Sequence, residues 1–235
     1  MATRRNDAIK ALTLDLDDTL WPVWPAIQRA EGQLHAWLAR HAAATARRFD
    51  VNALRALREA VGAEHPEWGH DFTRMRHESL SRALTLSGDD ATLAEPAFDV
   101  FLAARNRVEL FDDVLPALDL LARRWPIVAL TNGNADLHSI GLARYFTATV
   151  SAREFGIGKP DPRIFHEACR RAGAQPHEVL HIGDDWLLDV VGAHGAGLRS
   201  AWVCREGDAA MPVTGPARAD CVARDLHELV AWLEA

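Results

Sequence analysis

Asp15 and Asp17 stand two residues apart at the end of the run IKALTLDL at 9–16. On an extended strand they share a face, with Leu16 pointing the other way into packing. Two carboxylates side by side repel, and so they favour a cation. Asp184, in Gly183-Asp184-Asp185-Trp186, adds a third acid, and Asp189 lies five residues beyond it. An oxygen-only set of this kind suits a hard ion, Mg²⁺ before Zn²⁺. Lys159, in Gly158-Lys159-Pro160-Asp161-Pro162, has the opposite logic: it would neutralise an anionic ligand. Of the 26 cations, 24 are Arg and only Lys10 and Lys159 are Lys. A compact ammonium therefore departs from the habit of the chain, and it is the better point charge in a tight site. Thr131 and Asn132, just before Gly133, offer a hydroxyl and backbone N–H groups that can hold phosphoryl oxygens near a helix start. Taken singly, each cluster also reads as an ordinary turn or helix cap. Together they bring acids, a hydroxyl and an ammonium to four separate strand ends or loops.

Those strand ends must be built by the rest of the chain. Leu12, Leu14 and Leu16 alternate with other residues, which predicts a first strand. From about residue 21 to about 108, Ala, Leu, Arg and Glu dominate. There Leu34, Trp37 and Leu38, then Leu54, Leu57 and Val61, recur at helical spacing, and no strand is expected. From about residue 112 onward, strands and helices alternate. Strands are predicted at 126–130, 147–150, 179–182 and 200–203. Helix faces are marked by Leu115, Leu118, Leu121 and Ala122, by Ile164, Phe165, Ala168, Cys169 and Ala172, and by Leu226, Leu229, Val230 and Leu233. Such alternation with short connections implies a parallel sheet covered on both faces. The expected class is α/β: a doubly wound, Rossmann-like parallel sheet core with an inserted α-helical cap domain. Residues 1–20 and 110–235 form the expected core, 21–109 the cap, and 207–216 a long surface loop. In such a sheet, ligands bind outside the carboxyl ends of the strands, where the four clusters fall.

Composition narrows the classes. A chain of 235 residues, 49% hydrophobic and 25% charged, is not disordered, collagenous or a disulfide-stapled mini-protein. It is long enough to bury a core without such help. A net charge of −7 with no long single-sign run argues against a nucleic-acid partner. Cys169, Cys204 and Cys221 show no metal-ligand spacing, and an odd, sparse count fits a reducing compartment. Arg4 and Arg5 are a possible start for a signal peptide, but Asp15 and Asp17 cut the apolar run too early. No stretch approaches ~18 apolar residues, so no membrane span is expected. The expected address is the cytoplasm; monomer and dimer stay open.

DLDDT at 15–19, TNGN at 131–134, GKPDP at 158–162 and GDDWLLD at 183–189 resemble the four ordered motifs of the haloacid dehalogenase (HAD) superfamily. The resemblance runs essentially end to end, and a helical insert directly after the first motif is similar to the type with a C1 cap. The stretches PEWGHDFTRMRH at 66–77 and Leu130 to Ala135 look most like bacterial HAD phosphatases of the flavin pathway. Those enzymes act on 5-amino-6-(5-phospho-D-ribitylamino)uracil and FMN. The resemblance implies a small phosphorylated metabolite as substrate and Mg²⁺ as cofactor. It implies Asp15 as nucleophile, forming an aspartyl-phosphate, and Asp17 as the acid that protonates the leaving alcohol and then the base that activates water. Mg²⁺ would be held by Asp15, the backbone carbonyl of Asp17 and Asp184, with Asp189 acting through water and Asp185 as the alternative acid. Thr131, Asn132 and Lys159 would hold the phosphoryl oxygens. In formal charge, a phosphate dianion, Asp15 and Asp184 sum to −4, and Mg²⁺ with Lys159 returns +3.

True dehalogenases of the superfamily resemble this chain but lack the acid at Asp17, because a departing halide needs no proton. Sugar-phosphate phosphatases and phosphomutases keep it and stay open as alternatives. A phosphoacceptor receiver domain shares paired acids, a Thr and a Lys-Pro, but it has no large helical insert. In the cap, Trp21 and Trp24 flank the passage from the first motif and are candidates to stack on an aromatic substrate ring. Arg74 and Arg76 are candidates to pair with substrate carbonyls or an outer anionic group. The insert is expected to act as a lid that limits bulk solvent and selects among esters.

Overall fold

Every residue of Ala11–Leu14 (β1), Ile127–Thr131 (β2) and Val179–Gly183 is buried. Strands covered on both faces need apolar residues on both, which is why these segments are short and mostly apolar. The structure is a computed structural model that describes residues 8–205 and 218–235. It completes the sheet with Ala148–Ser151 (β3), then Val179–Gly183 as β4, Arg199–Val203 (β5) and Cys221–Ala223 (β6). The order is β3-β2-β1-β4-β5-β6, and every pairing is parallel. Leu14 is level with Ala129 on one side and Ile182 on the other. The residues that follow β1, β2 and β4 therefore emerge side by side at one edge.

The helices are Val23–His41 (α1), Ala43–Arg48 (α2), Val51–Glu64 (α3), Phe72–Ser87 (α4), Ala94–Arg105 (α5), Val114–Leu121 (α6), Leu137–Ile140 (α7), Ala152–Phe155 (α8), Pro162–Ala172 (α9), Gly192–Gly195 (α10) and Leu226–Glu234 (α11). A π-helical turn, Trp186–Val191, follows β4. Helices lie on both sides of the sheet, so the doubly wound α/β class stands. Helix α9 shows why these segments fold as they do. Asp161 caps it by accepting from Arg163 N, Pro162 opens it, and Gly173 ends it at φ +69°, where a side chain would be strained. Its buried face, Ile164, Phe165, Ala168 and Cys169, packs against Val128, Leu130 and Val150. Each such side chain contributes ~1.5–3 kcal/mol on burial.

The chain forms two compact units. One holds the sheet and, among the described residues, comprises those up to Trp21, Leu110–Gly133 and those from Gly141 onward. The other is helical and comprises Pro22–Glu109 together with Asn134–Ile140. In the helical unit, Leu34, Leu38, Leu80, Leu84, Phe98 and Phe101 of α1, α4 and α5 form the core, with Trp37 and Leu57 packed against it. Sequence patterning missed β6, a three-residue edge strand with Val222 exposed; it is too short to show alternation. The loop expected at 207–216 lies outside the described residues. Among the described residues, no helix is long and apolar enough to cross a membrane.

Candidate active site

Asp15 leaves β1 with its N–H donated to Ile182 O at 2.9 Å, so the end of β4 sets its position. Lys159, buried, donates to Asp15 Oδ1 at 2.5 Å and to Asp189 Oδ1 at 2.6 Å. Asn132, at the end of β2, clamps the Lys159 backbone in both directions: it accepts from Lys159 N at 2.8 Å and donates to Lys159 O at 3.0 Å. Gly158 makes room for that clamp, since a Cβ there would stand 2.7 Å from Asn132 Oδ1. Thr131 is buried, and its Oγ1 accepts from Gly133 N at 2.9 Å.

Oxygens of Asp15, Asp184 and Asp189 lie within 4.8 Å of one another. Burial pushes the Asp15 carboxyl well above its usual range; Lys159 opposes this, and Asp189 and Asp184 add to it. Burial likewise pushes Asp184 up to about 7, against the hydrogen bond from Thr19 and with the help of Asp189 and Asp18. Asp189 behaves differently. Burial would raise it, but Lys159 and His181 hold it below its usual range. Burial would lower Lys159, yet Asp15 and Asp189 keep it above its usual value. Fully ionised, Asp15, the partly buried Asp184 and Asp189 would carry −3 against the single ammonium of Lys159. A divalent cation would bring the set to neutrality, and hard carboxylate oxygens are the donors it prefers. The residues therefore fit a hard divalent cation.

Asp189 does more here than its place in the fourth motif suggests. Its Oδ1 meets Lys159 and His181 Nε2, the latter at 2.9 Å, and its Oδ2 accepts from Asp185 N at 2.9 Å. His181 Nδ1 in turn meets Thr13 Oγ1 at 2.8 Å. This network assigns the ring proton to Nε2, with Thr13 donating to Nδ1. Asp185 is exposed, and its Oδ1 accepts from Leu188 N at 2.8 Å, capping the turn. Thr19, the last residue of the first motif, donates to Asp184 Oδ1 at 2.7 Å. Sequence reading passed over Thr19, Thr13 and His181. The available signal was a polar residue inside an otherwise apolar buried strand, as at Thr13 and His181.

The aromatic and basic candidates fall elsewhere. Trp21 is fully buried, and its indole N–H donates to Asp17 Oδ1 at 2.8 Å. Its ring faces are packed inside the protein, so the expected stacking on a substrate is corrected to a contact with an acid. Arg76 is also buried: its guanidinium lies over Phe101 at 3.6 Å and pairs with Glu31 at 3.7 Å. Burial lowers it to about 9. Arg76 belongs to the interior of the helical unit. Arg74 is exposed and lies over Trp68 at 4.1 Å.

Gly183 packs against Asp189. A Cβ there would stand 2.2 Å from Asp189 Cγ and 2.3 Å from Oδ2. Gly183→Ala must displace the carboxylate that holds Lys159. We expect a loss of about 10²-fold in kcat/KM, the usual effect of ~1 Å of misplacement. We also expect ~1–3 kcal/mol of destabilisation from overpacking. Steady-state kinetics and a urea midpoint check both; unchanged kinetics would mean that Asp189 does not govern the site.

The sequence pattern of the haloacid dehalogenase-like hydrolases matches residues 9–197. The chain belongs to that family. This HAD-like hydrolase is 36% identical over 199 residues to 5-amino-6-(5-phospho-D-ribitylamino)uracil phosphatase YigB of Escherichia coli, covering 83% of each chain. It is 32% identical to a phosphoserine phosphatase of Thermus thermophilus, covering 84% of this chain and 89% of that one. A crystal structure described as a 2-haloacid dehalogenase from Pseudomonas syringae superposes with a TM-score of 0.88. It has 38% sequence identity and covers 96% of this HAD-like hydrolase and 98% of the other chain.

Proposed function

We propose that this HAD-like hydrolase cleaves phosphate monoesters through an aspartyl-phosphate on Asp15. The proposed substrate is a small phosphorylated metabolite such as a ribitylaminouracil phosphate or FMN. The reading rests on the buried ammonium of Lys159 held between Asp15 and Asp189 beside Asp184. That arrangement sets a positive charge beside the carboxylate proposed as nucleophile. The 36% identity to the ribitylaminouracil phosphatase supports the substrate class.

In this reading Asp15 attacks phosphorus. The ester P–O bond breaks, its electron pair goes to the leaving oxygen, and Asp17 supplies the proton. Asp17 then takes a proton from the water that hydrolyses the aspartyl-phosphate, which restores the Asp15 carboxylate. Thr131, whose oxygen already accepts from Gly133 N, has a hydroxyl proton to donate to a phosphoryl oxygen. Asn132 acts chiefly by holding Lys159. Asp15, Asp184 and the Asp17 carbonyl would hold Mg²⁺, and the ion would supply positive charge where the phosphate develops negative charge. Asp189 keeps Lys159 in place and Asp185 caps its turn. Arg74 is the exposed cation of the two put forward for substrate selection.

The similarity to a described 2-haloacid dehalogenase raises a second reading, in which Asp15 attacks carbon and halide leaves. Asp17 favours phosphate, since a departing halide needs no proton. Phosphate release from ribitylaminouracil phosphate, FMN, phosphoserine and a sugar phosphate should be measured beside halide release from 2-chloropropionate. We expect phosphate release that requires Mg²⁺ and stops with EDTA, and no halide release; the reverse pattern would establish the dehalogenase. Mg²⁺ should also stabilise the fold by ~2.7 kcal/mol at about 100 times Kd, seen as a rise in Tm. Asp184→Asn should remove most of that shift.

A further inference from the structure

We infer that Trp21 is a positioning residue for the acid–base step: its indole N–H orients Asp17 and decides which carboxyl oxygen carries the transferable proton. The inference rests on the reading of Asp17 as the general acid and names what holds it.

The turn after β1 brings Trp21 back beside Asp17. Leu20 N donates to Leu16 O, and Asp18 N donates to Trp21 O, both at 2.8 Å. Asp17 and Trp21 pair as an isolated parallel bridge. Asp18 takes φ +57° at the bend, a conformation that Asp tolerates better than most residues. Two side chains of this one turn face the chemistry: Thr19 reaches Asp184 and Trp21 reaches Asp17.

Packing alone does not require an indole. Phe or Leu would also fill a wholly buried position. A buried N–H, however, needs an acceptor. Here the acceptor is Oδ1 of the acid, at 2.8 Å. In a neutral carboxyl group the carbonyl oxygen is the better acceptor for an N–H. Trp21 thereby favours the form in which Oδ1 is the carbonyl and Oδ2 carries the proton. When the P–O bond breaks, its electron pair moves to the ester oxygen and the Oδ2 proton follows. When water attacks the aspartyl-phosphate, Oδ2 takes a proton back. The bond to Oδ1 persists through both half-reactions, so the carboxyl group does not have to rotate between them. Such preorganisation is where positioned dipoles contribute most.

The test compares two esters. An alkyl phosphate needs its leaving oxygen protonated, whereas p-nitrophenyl phosphate releases an anion that is stable without a proton. The parameter is kcat/KM, which reads the steps through departure of the alcohol. For Trp21→Phe, kcat/KM on the alkyl ester should fall tenfold or more, within the ~10²–10⁴ that general acids supply. On p-nitrophenyl phosphate it should change less than about twofold. Replacing Trp21 by β-(3-benzothienyl)alanine, which keeps the shape and lacks the N–H, should give the same split. This variant decides the matter if Trp21→Phe folds poorly. In an Asp17→Asn background, Trp21→Phe should add no further loss on the alkyl ester. Equal losses on both esters in the benzothienyl variant, or no loss on either, would overturn the inference and leave Trp21 as packing. If wild-type protein released phosphate from neither ester, the phosphatase reading would fall first and take this role with it.

Discussion

Asp15→Asn is expected to lower kcat by at least ~10³-fold, about 4 kcal/mol at ~1.36 kcal/mol per decade. The amide nearly matches the carboxylate in shape, so the fold should survive. It cannot form the acyl phosphate, and it removes one anion from the set that would hold the metal. The same change should leave thermal stability equal or higher. Burial and the neighbouring acids already hold the Asp15 carboxyl above its ordinary range, so a neutral group relieves repulsion among Asp15, Asp184 and Asp189. A catalytic residue that is costly to stability is the usual sign of such a trade. Rate measurements with a melting curve test both halves. Near-normal turnover in a folded Asp15→Asn protein would end the assignment.

The second large effect is expected for Lys159→Arg, at about 10²-fold or more in kcat/KM. The Lys159 side chain is 2% exposed, with Nζ 2.5 Å from Asp15 and 2.6 Å from Asp189. Its backbone is pinned by Asn132 on both sides. Arg keeps the charge but replaces a compact ammonium with a planar fork. With the backbone clamped, the extra atoms must push Asp15 or Asp189 aside, at a typical overpacking cost of ~1–3 kcal/mol. The protein should remain folded while losing most activity. Wild-type kinetics in a folded Lys159→Arg protein would return Lys159 to the role of an ordinary loop cation.

Much of the fold and of the candidate site was legible in the chain. The buried strands read as largely apolar segments because a doubly covered sheet demands them, and α9 announced itself through the spacing of Ile164, Phe165, Ala168, Cys169 and Ala172. The four motifs were legible because three are short polar runs at the ends of such strands and the fourth, at 158–162, is a short polar loop that opens α9. Asn132 shows where this stops. Its type and place suggested phosphate binding, and its side chain proves to hold the Lys159 backbone across 27 residues of sequence.

Trp21, Arg76 and His181 show the same limit more sharply. An aromatic ring or a guanidinium suits a ligand and a core equally well, so residue type could not say that Trp21 and Arg76 are buried. Nor could it link His181 to Thr13 and Asp189, which come together only because β1 and β4 lie side by side in register. The sequence by itself determined which groups are candidates for the chemistry and which strand ends and loops carry them, because motif chemistry and strand burial are local properties. Tertiary structure alone decided which groups hold the reactive ones in place: Asp189 for Lys159, Thr19 for Asp184 and Trp21 for Asp17. Those pairings depend on strand register and on one tight turn, and the geometry of both is set by packing.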